Sequence, residues 1–374
     1  MLDCAIIGAG PAGAAAALKL AQAGYAVQLI ERHDLPHPRP GGGGVSPAIG
    51  RWLDLDFDAV IATRVNRVRF TWQLSDPIEV TLKTEPMWMV QREHFDALLV
   101  ERAQAAGATL QTQTTATAAR FNGRAWQLTT SQGEQTARYV IVASGSAATI
   151  AGLPRSPGRE AIAAALTVAQ PPSQAAVAQF DFGTLKNGFI WNFPQGDRYT
   201  ISGAIVGGKG KPTELRQALT HYAQQLGLTE ADYTYRERSL RLWGDRQPLH
   251  AENVLLAGDA AGLADPLLGE GIRPAILSGI RAATAIMQAL AGETGAIASY
   301  SQAIYEHWGS DMVLAQRLAG LFYKFPKLAY KVGVKRPAAA NIMSQILCGE
   351  LRYSDVTDKA LQILKKSFLP GFGG

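Results

Sequence analysis

The chain has 374 residues, 47% of them apolar and 18% charged, with a formal charge of +5. Those values exclude a fibrous or disordered chain and leave room for two domains and a sizeable core, while the mild basic excess favours anionic partners, whether nucleic acid, an acidic lipid surface or a phosphorylated substrate. Two cysteines, Cys4 and Cys348, exclude a disulfide framework and a thiolate metal site, and the six histidines show no metal-ligand spacing beyond His33 and His37 in a proline-rich loop.

In chain order, residues 2–32, "LDCAIIGAGPAGAAAALKLAQAGYAVQLIER", read as a buried strand, a turn, an Ala-rich helix closed by Gly24, and a second strand ending at Glu31. The turn residues Gly8, Gly10, Pro11, Ala12 and Gly13 allow a tight bend and a close approach to a pyrophosphate at the helix N-terminus. Glu31, followed by Arg32, is placed to accept hydrogen bonds from a ribose diol. This full βαβ context predicts dinucleotide binding, where a bare GxGxxG would not. The first strand begins at the second residue and no run of about 18 apolar residues occurs, so a cytoplasmic chain, soluble or on a membrane surface, is expected.

Residues 36–47, "PHPRPGGGGVSP", place four glycines in a row. Such a run is either a flexible loop or a backbone against which something large and flat must lie. His33 and His37 nearby are expected to be solvated. Next come the alternating strand "RVRFTWQLSD" and the amphipathic helix of "VQREHFDALLVERAQAAG", with Phe95, Leu98 and Leu99 on one face. The segment "YVIVASGSAAT" carries Ser144 and Gly145 after a buried strand. "GFIWNFPQGDRYTISGA" supplies Phe189, Trp191 and Phe193 on one side of a strand, as cavity walls or ordinary core. "GAIVGGKG", 203–210, nearly spells a phosphate loop but has Gly210 where Ser or Thr should bind magnesium, and it reads as part of a hairpin.

Residues 253–290 give a short strand, Gly258-Asp259, a loop, and a helix opening near Gly271 with Pro274 in its first turn, where proline is tolerated. Ser278, Arg281, Thr284 and Gln288 make one thin polar stripe on it. The Gly-Asp and the following "GEGI" resemble the C-terminal flavin signature of FAD-dependent hydroxylases and reductases. That resemblance implies that Asp259 holds the ribityl chain and that the amides of Gly271 and Ile272, after Gly269, face the flavin ring. A helix N-terminus there would favour the negative charge of a reduced flavin, and Arg273 would add to it if directed inward.

Within that superfamily "RPGGGGVSP" resembles the "CGGGLSP" loop of the geranylgeranyl reductase family, and "GFIWNFP" is similar to the same family's aromatic–x–Trp–x–Phe–Pro segment. The resemblance spans nearly the whole chain. It implies that Gly42, Gly43, Gly44 and Val45 lie beside the isoalloxazine ring and that Arg92 reaches the cofactor. Two departures stand out: Gly41 replaces the family's usual Cys, and Ser144 replaces an Asp linked to FAD and NADPH handling, which leaves the electron donor as NADPH or another reductant.

The expected fold is α/β, a Rossmann-like FAD-binding domain (1–60, 91–155 and 250–310) with an inserted antiparallel β-sheet substrate domain (61–90 and 156–249) and a helical C-terminal region (311–374). The expected activity is transfer of hydride from the flavin to a carbon–carbon double bond of a geranylgeranyl-type isoprenoid, with Glu270 as proton source. The alternatives are an FAD monooxygenase or dehydrogenase acting on an apolar aromatic or quinone, and a flavin-binding protein without turnover. No metal and no nucleic-acid partner is expected, since the basic residues lack an RNA-binding pattern. Residues 317–336 combine basic and aromatic residues without an acid, which suits peripheral contact with a membrane.

Overall fold

The computed structural model describes residues 1–83, 85–146, 149–170, 177–208 and 210–356. The first sheet has eight strands. Its path runs His250–Ala251, Val254–Leu256, Gly133–Val142, Leu2–Ile7, Val27–Ile30, Thr109–Gln111, and the antiparallel strands Trp126–Thr130 and Ala116–Phe121 extend from Gly133–Val142. Its centre is parallel, with Cys4 opposite Val27 on one side and Tyr139 on the other. Strands covered on both faces need continuous apolar runs, and "CAII" and "VIV" provide them. Helix Pro11–Gln22 packs on this sheet and against helix Ile272–Leu290. The two helices approach so closely that a Cβ on Gly279 would lie 2.1 Å from the Ala12 carbonyl oxygen.

A second sheet of seven strands is ordered Tyr233–Leu242, Arg159–Val168, Arg198–Ile205, Gly188–Gln195, Val177–Phe182, Arg67–Trp72, Ser75–Thr81. It is antiparallel except where Val177–Phe182 runs parallel to Arg67–Trp72. Period-two alternation sorts its side chains. Ala161, Ala163, Phe189 and Phe193 join the core shared with the first sheet, whereas Leu166, Ile190 and Ile201 join a separate cluster under helix Pro212–Gln225. That helix is an addition to the antiparallel sheet expected over 156–249. It also places "GAIVGGKG" across the end of a hairpin strand and the loop into the helix, Lys209 lying outside the described residues.

A third sheet of Gly44–Val45, Met87–Val90 and Ile61–Val65 ties the glycine loop to the rest. Residues 61–90 therefore serve two sheets. After helix Ala296–Ile304 and a π-helical turn, Tyr305–Gly309, helix Ser310–Lys324 stops at Phe325, and Pro326 opens a new short helix, Pro326–Ala329. A further π-helical turn, Tyr330–Val334, precedes helix Pro337–Leu347. The Tyr330 hydroxyl donates to the carbonyls of Asp76 at 2.6 Å and Phe70 at 3.2 Å, which pins this region to the second sheet. The part of the expected helical region from 357 onward lies outside the described residues. Among the described residues no helix is long and apolar enough to cross a membrane.

Candidate functional site

An elongated cleft of about 720 Å³ runs between the C-terminal edge of the first sheet and strand Tyr233–Leu242. One end is built by the first turn. Gly8 has φ +106°, and a Cβ there would meet the Ala143 carbonyl oxygen at 2.4 Å; a Cβ on Gly13 would meet the Gly8 carbonyl oxygen at 1.9 Å. Gly10, Pro11 and Ala12 line the cleft at the N-terminus of their helix, with the unpaired amides of its first turn. Glu31 is buried, and its carboxylate accepts from the Ala9 amide at 2.9 Å and the His33 amide at 3.2 Å. Arg32 is exposed at the rim. His33 and His37 are not simply solvated: their rings stack at 4.0 Å, half-buried along the cleft. Burial and the neighbouring His33 and Arg39 push the His37 pKa down.

Arg92 lines the cleft, held by paired hydrogen bonds of 3.0 Å to Asp96 one turn later. Arg39 bridges Glu31 at 3.3 Å and Asp96 at 3.0 Å. This buried Arg92–Asp96–Arg39–Glu31 chain was not visible in the sequence as a unit. The i,i+4 spacing of Arg92 and Asp96 was the one local hint. Arg238 also escaped notice, yet it lines both this cleft and the cavity beyond it.

At the other end stand Gly258 and Asp259. Burial raises the Asp259 pKa, opposed by Arg238, Arg92 and Arg241. The Gly258 amide donates to the Ser278 hydroxyl at 2.9 Å, and Ser278 in turn donates to the Ala275 carbonyl. Ser278 is thus fully buried and leaves the expected polar stripe, because the strand end needs an acceptor there. Gly271 caps helix Ile272–Leu290, beside Asp259: a Cβ on it would lie 3.3 Å from the Asp259 carboxylate. Ser144 lines the cleft with a buried hydroxyl that has no hydrogen-bond partner among the described residues, and Gly145 next to it has φ +79°.

A cavity of about 90 Å³ adjoins the cleft, sharing Pro40, Arg92, Arg238, Gly271 and Ile272 with it. Gly41 to Gly44 form one wall. Packed against that loop, Phe189, Trp191 and Phe193 also line the cavity, with ring centroids 5.3 and 6.4 Å apart. The bareness of the loop now has a structural cause that the sequence reading did not contain. A Cβ on Gly42 would sit 2.0 Å from Trp191 Nε1, and one on Gly43 2.0 Å from the Val90 carbonyl oxygen, so the aromatic wall and the adjoining strand demand glycine. Val45 is buried in the third sheet, behind the loop. Gln195 donates to the Gly42 carbonyl at 2.9 Å and fixes the loop.

The loop 265–271 forms the floor. Asp265 accepts from the amides of Leu267 and Leu268 at 2.7 and 2.9 Å and from the Tyr353 hydroxyl at 2.7 Å, and its own amide donates to the Glu270 carbonyl at 2.8 Å. Gly269 makes the turn at φ +65°. Glu270 lines the cavity; one carboxylate oxygen accepts from the Arg273 amide at 2.7 Å, and the other has no hydrogen-bond partner among the described residues. Burial holds its pKa above the ordinary range, with Arg273 as the main opposing charge. Arg273 is buried between the loop and the C-terminal helices: its Nε lies 3.6 Å from the Glu270 carboxylate, its guanidinium 5.2 Å over the Trp308 ring and 3.5 Å from the Ile346 carbonyl. Among the described residues there is no cluster of three metal-ligating side chains.

A long cleft, two glycines that admit no Cβ, two helix N-termini and a buried acid at the end of the second strand fit FAD, with a Ser144 hydroxyl on its wall that has no partner among the described residues. Fold and site thus define a flavoprotein with a small apolar chamber beside its cofactor cleft. The chain belongs to the FAD binding domain family, which matches residues 1–304. It is 27% identical to a geranylgeranyl diphosphate reductase of Rhodobacter capsulatus, covering 92% of each chain. It is also 27% identical to digeranylgeranylglycerophospholipid reductase 1 of Methanothermobacter thermautotrophicus, over 77% of this chain and 78% of the relative. A crystal structure of a geranylgeranyl bacteriochlorophyll reductase-like protein of Thermoplasma acidophilum superposes with TM-score 0.81 at 21% identity, over 98% of this chain and 96% of the other.

Proposed function

We propose that the protein reduces carbon–carbon double bonds of a geranylgeranyl-type isoprenoid. The observation that carries this reading is the chamber itself, lined by aromatic rings and bare glycine backbone, with Glu270 as the one carboxylic acid among the described residues of its lining. The relatives named above, reductases of a geranylgeranyl diphosphate and of a digeranylgeranyl glycerophospholipid, support the same substrate class.

When bound, FAD supplies the electron pair with one hydrogen; an isolated alkene also needs a proton on its other carbon. Gly8, Gly10, Gly13 and Glu31 hold the dinucleotide, and Asp259 with the Gly271 and Ile272 amides orients the flavin end. Phe189, Trp191 and Phe193 position the alkene and exclude water. Glu270, whose pKa burial raises against the opposing charge of Arg273, donates the proton. NADPH or a reduced protein such as ferredoxin serves as donor, Ser144 standing where an acid would assist NADPH. The two buried thiols, that of Cys348 pushed up to about 12 by burial, fit a reducing compartment. Contact with a lipid surface is part of the reading.

The test is incubation of reduced protein with geranylgeranyl diphosphate, geranylgeraniol and a quinone, followed by mass spectrometry. Products carrying two more hydrogens per double bond are expected from the isoprenoids. Turnover of the quinone alone would favour a dehydrogenase instead.

A further inference from the structure

Between Asp311 and Glu350 the chain has no acidic residue and six basic ones: Arg317, Lys324, Lys327, Lys331, Lys335 and Arg336. Lys335 pairs with Asp76, while the other five are exposed. The corner where helix Ser310–Lys324 meets helix Pro326–Ala329 also exposes Leu321 (37%), Phe325 (46%) and Leu328 (42%). The other large apolar side chains exposed to this degree among the described residues, Met1 and Leu226, are far away in sequence, so three of five gather at one corner. A solvated helix corner has no reason to concentrate them there.

The inner side of the corner is firmly seated. Phe322 packs on Phe182 with ring centroids 5.1 Å apart, and Tyr330 is held by the two carbonyl contacts already described. From Phe182 the rings continue to Phe189 at 5.9 Å and Trp191 at 5.3 Å, which lines the chamber. The corner is therefore the exposed end of the same aromatic layer that walls the chamber.

We infer that this corner docks on an anionic lipid bilayer, Leu321, Phe325 and Leu328 entering the headgroup layer while Lys324, Lys327 and Lys331 face anionic headgroups. Exposed apolar side chains interleaved with cations, in a stretch of sequence without an acid, match that surface better than they match a protein groove. The inference rests on the isoprenoid reading, which it deepens by naming the phase from which the substrate comes; its test involves no turnover, so the two can fail separately.

Full-length, FAD-loaded protein is sedimented with vesicles of phosphatidylcholine alone or mixed with phosphatidylglycerol. The bound fraction should rise about tenfold with the anionic lipid and fall again between about 0.1 and 1 M salt, as the Debye length shrinks from about 10 to 3 Å. Lys324→Glu, Lys327→Glu and Lys331→Glu together should abolish the anionic preference, and Phe325→Ser with Leu328→Ser should reduce binding at both salts. Each variant is exposed and should keep its flavin, which absorbance checks. Lack of vesicle binding by the parent, or equal binding by parent and both variants, overturns the inference. So does a parent that self-associates through this corner, seen as a change of oligomeric state in the variants without lipid.

Discussion

Glu270 carries opposite consequences for stability and for chemistry. Its folded pKa is raised by burial, so the stabilisation tied to its protonated form is complete below the ordinary carboxyl value of about 4.3 and is lost as pH rises through the raised value. The same rise removes the proton that the alkene needs. Turnover should therefore fall on the alkaline side, and Glu270→Gln should lower the rate by about 100-fold or more, in line with general acid catalysis, and flatten the pH profile. A glutamine variant with the parent's rate and profile would remove Glu270 from the mechanism. At the glycine loop, Gly42→Ala drives a methyl into Trp191 Nε1. Overpacking of this kind costs about 1–3 kcal/mol. Thermal unfolding of the flavin-loaded variant should show a midpoint several degrees lower, whereas an unchanged midpoint would mean that Trp191 can yield.

The element on which the cleft depends most is helix Ile272–Leu290. It docks by Gly279 on the carbonyl of Ala12 in the first helix, and its Ser278 satisfies the amide of Gly258 at the end of strand Val254–Leu256. Ser278→Ala leaves that buried amide unpaired at a cost of about 1–3 kcal/mol, measurable by denaturant titration, and should loosen Asp259 with it. A loss below a few tenths of a kcal/mol would show that water replaces the hydroxyl. Sequence patterning marked the helix, its N-terminal glycine and its proline, because those features are local. It misassigned Ser278, whose partner lies twenty residues earlier in a strand end, and it missed helix Pro212–Gln225, whose apolar side chains face a second sheet that the pattern could not locate. The direction of Arg273 was equally hidden, since the Trp308 ring and the Ile346 carbonyl that draw it lie on distant helices.

Over the whole molecule, the cofactor cleft was legible where glycines and acids sit in one βαβ unit or one strand–loop–helix. It was illegible where charges from three segments converge, as at Arg39, Asp96 and Arg238. The site joins distant segments, so losing one contact should weaken the holoprotein as a whole. Asp259→Ala removes a charge-assisted partner of the kind that contributes about 1.5–3 kcal/mol, and FAD should dissociate about ten- to a hundredfold more readily in equilibrium dialysis. Retention equal to the parent's would separate Asp259 from the cofactor. If Ser144 stands in for the acid that the resemblance places there, stopped-flow reduction by NADPH should be slow and reduction by ferredoxin faster; rapid, saturating NADPH reduction would contradict that. The central claim is that electrons leave the protein for an alkene. The most direct measurement is a single turnover with oxygen excluded, in which the pre-reduced protein is mixed with geranylgeranyl diphosphate while flavin absorbance and product mass are followed together. The account predicts one flavin reoxidised for each double bond lost; a flavin that stays reduced until oxygen is admitted, or a product that gains oxygen, would contradict it.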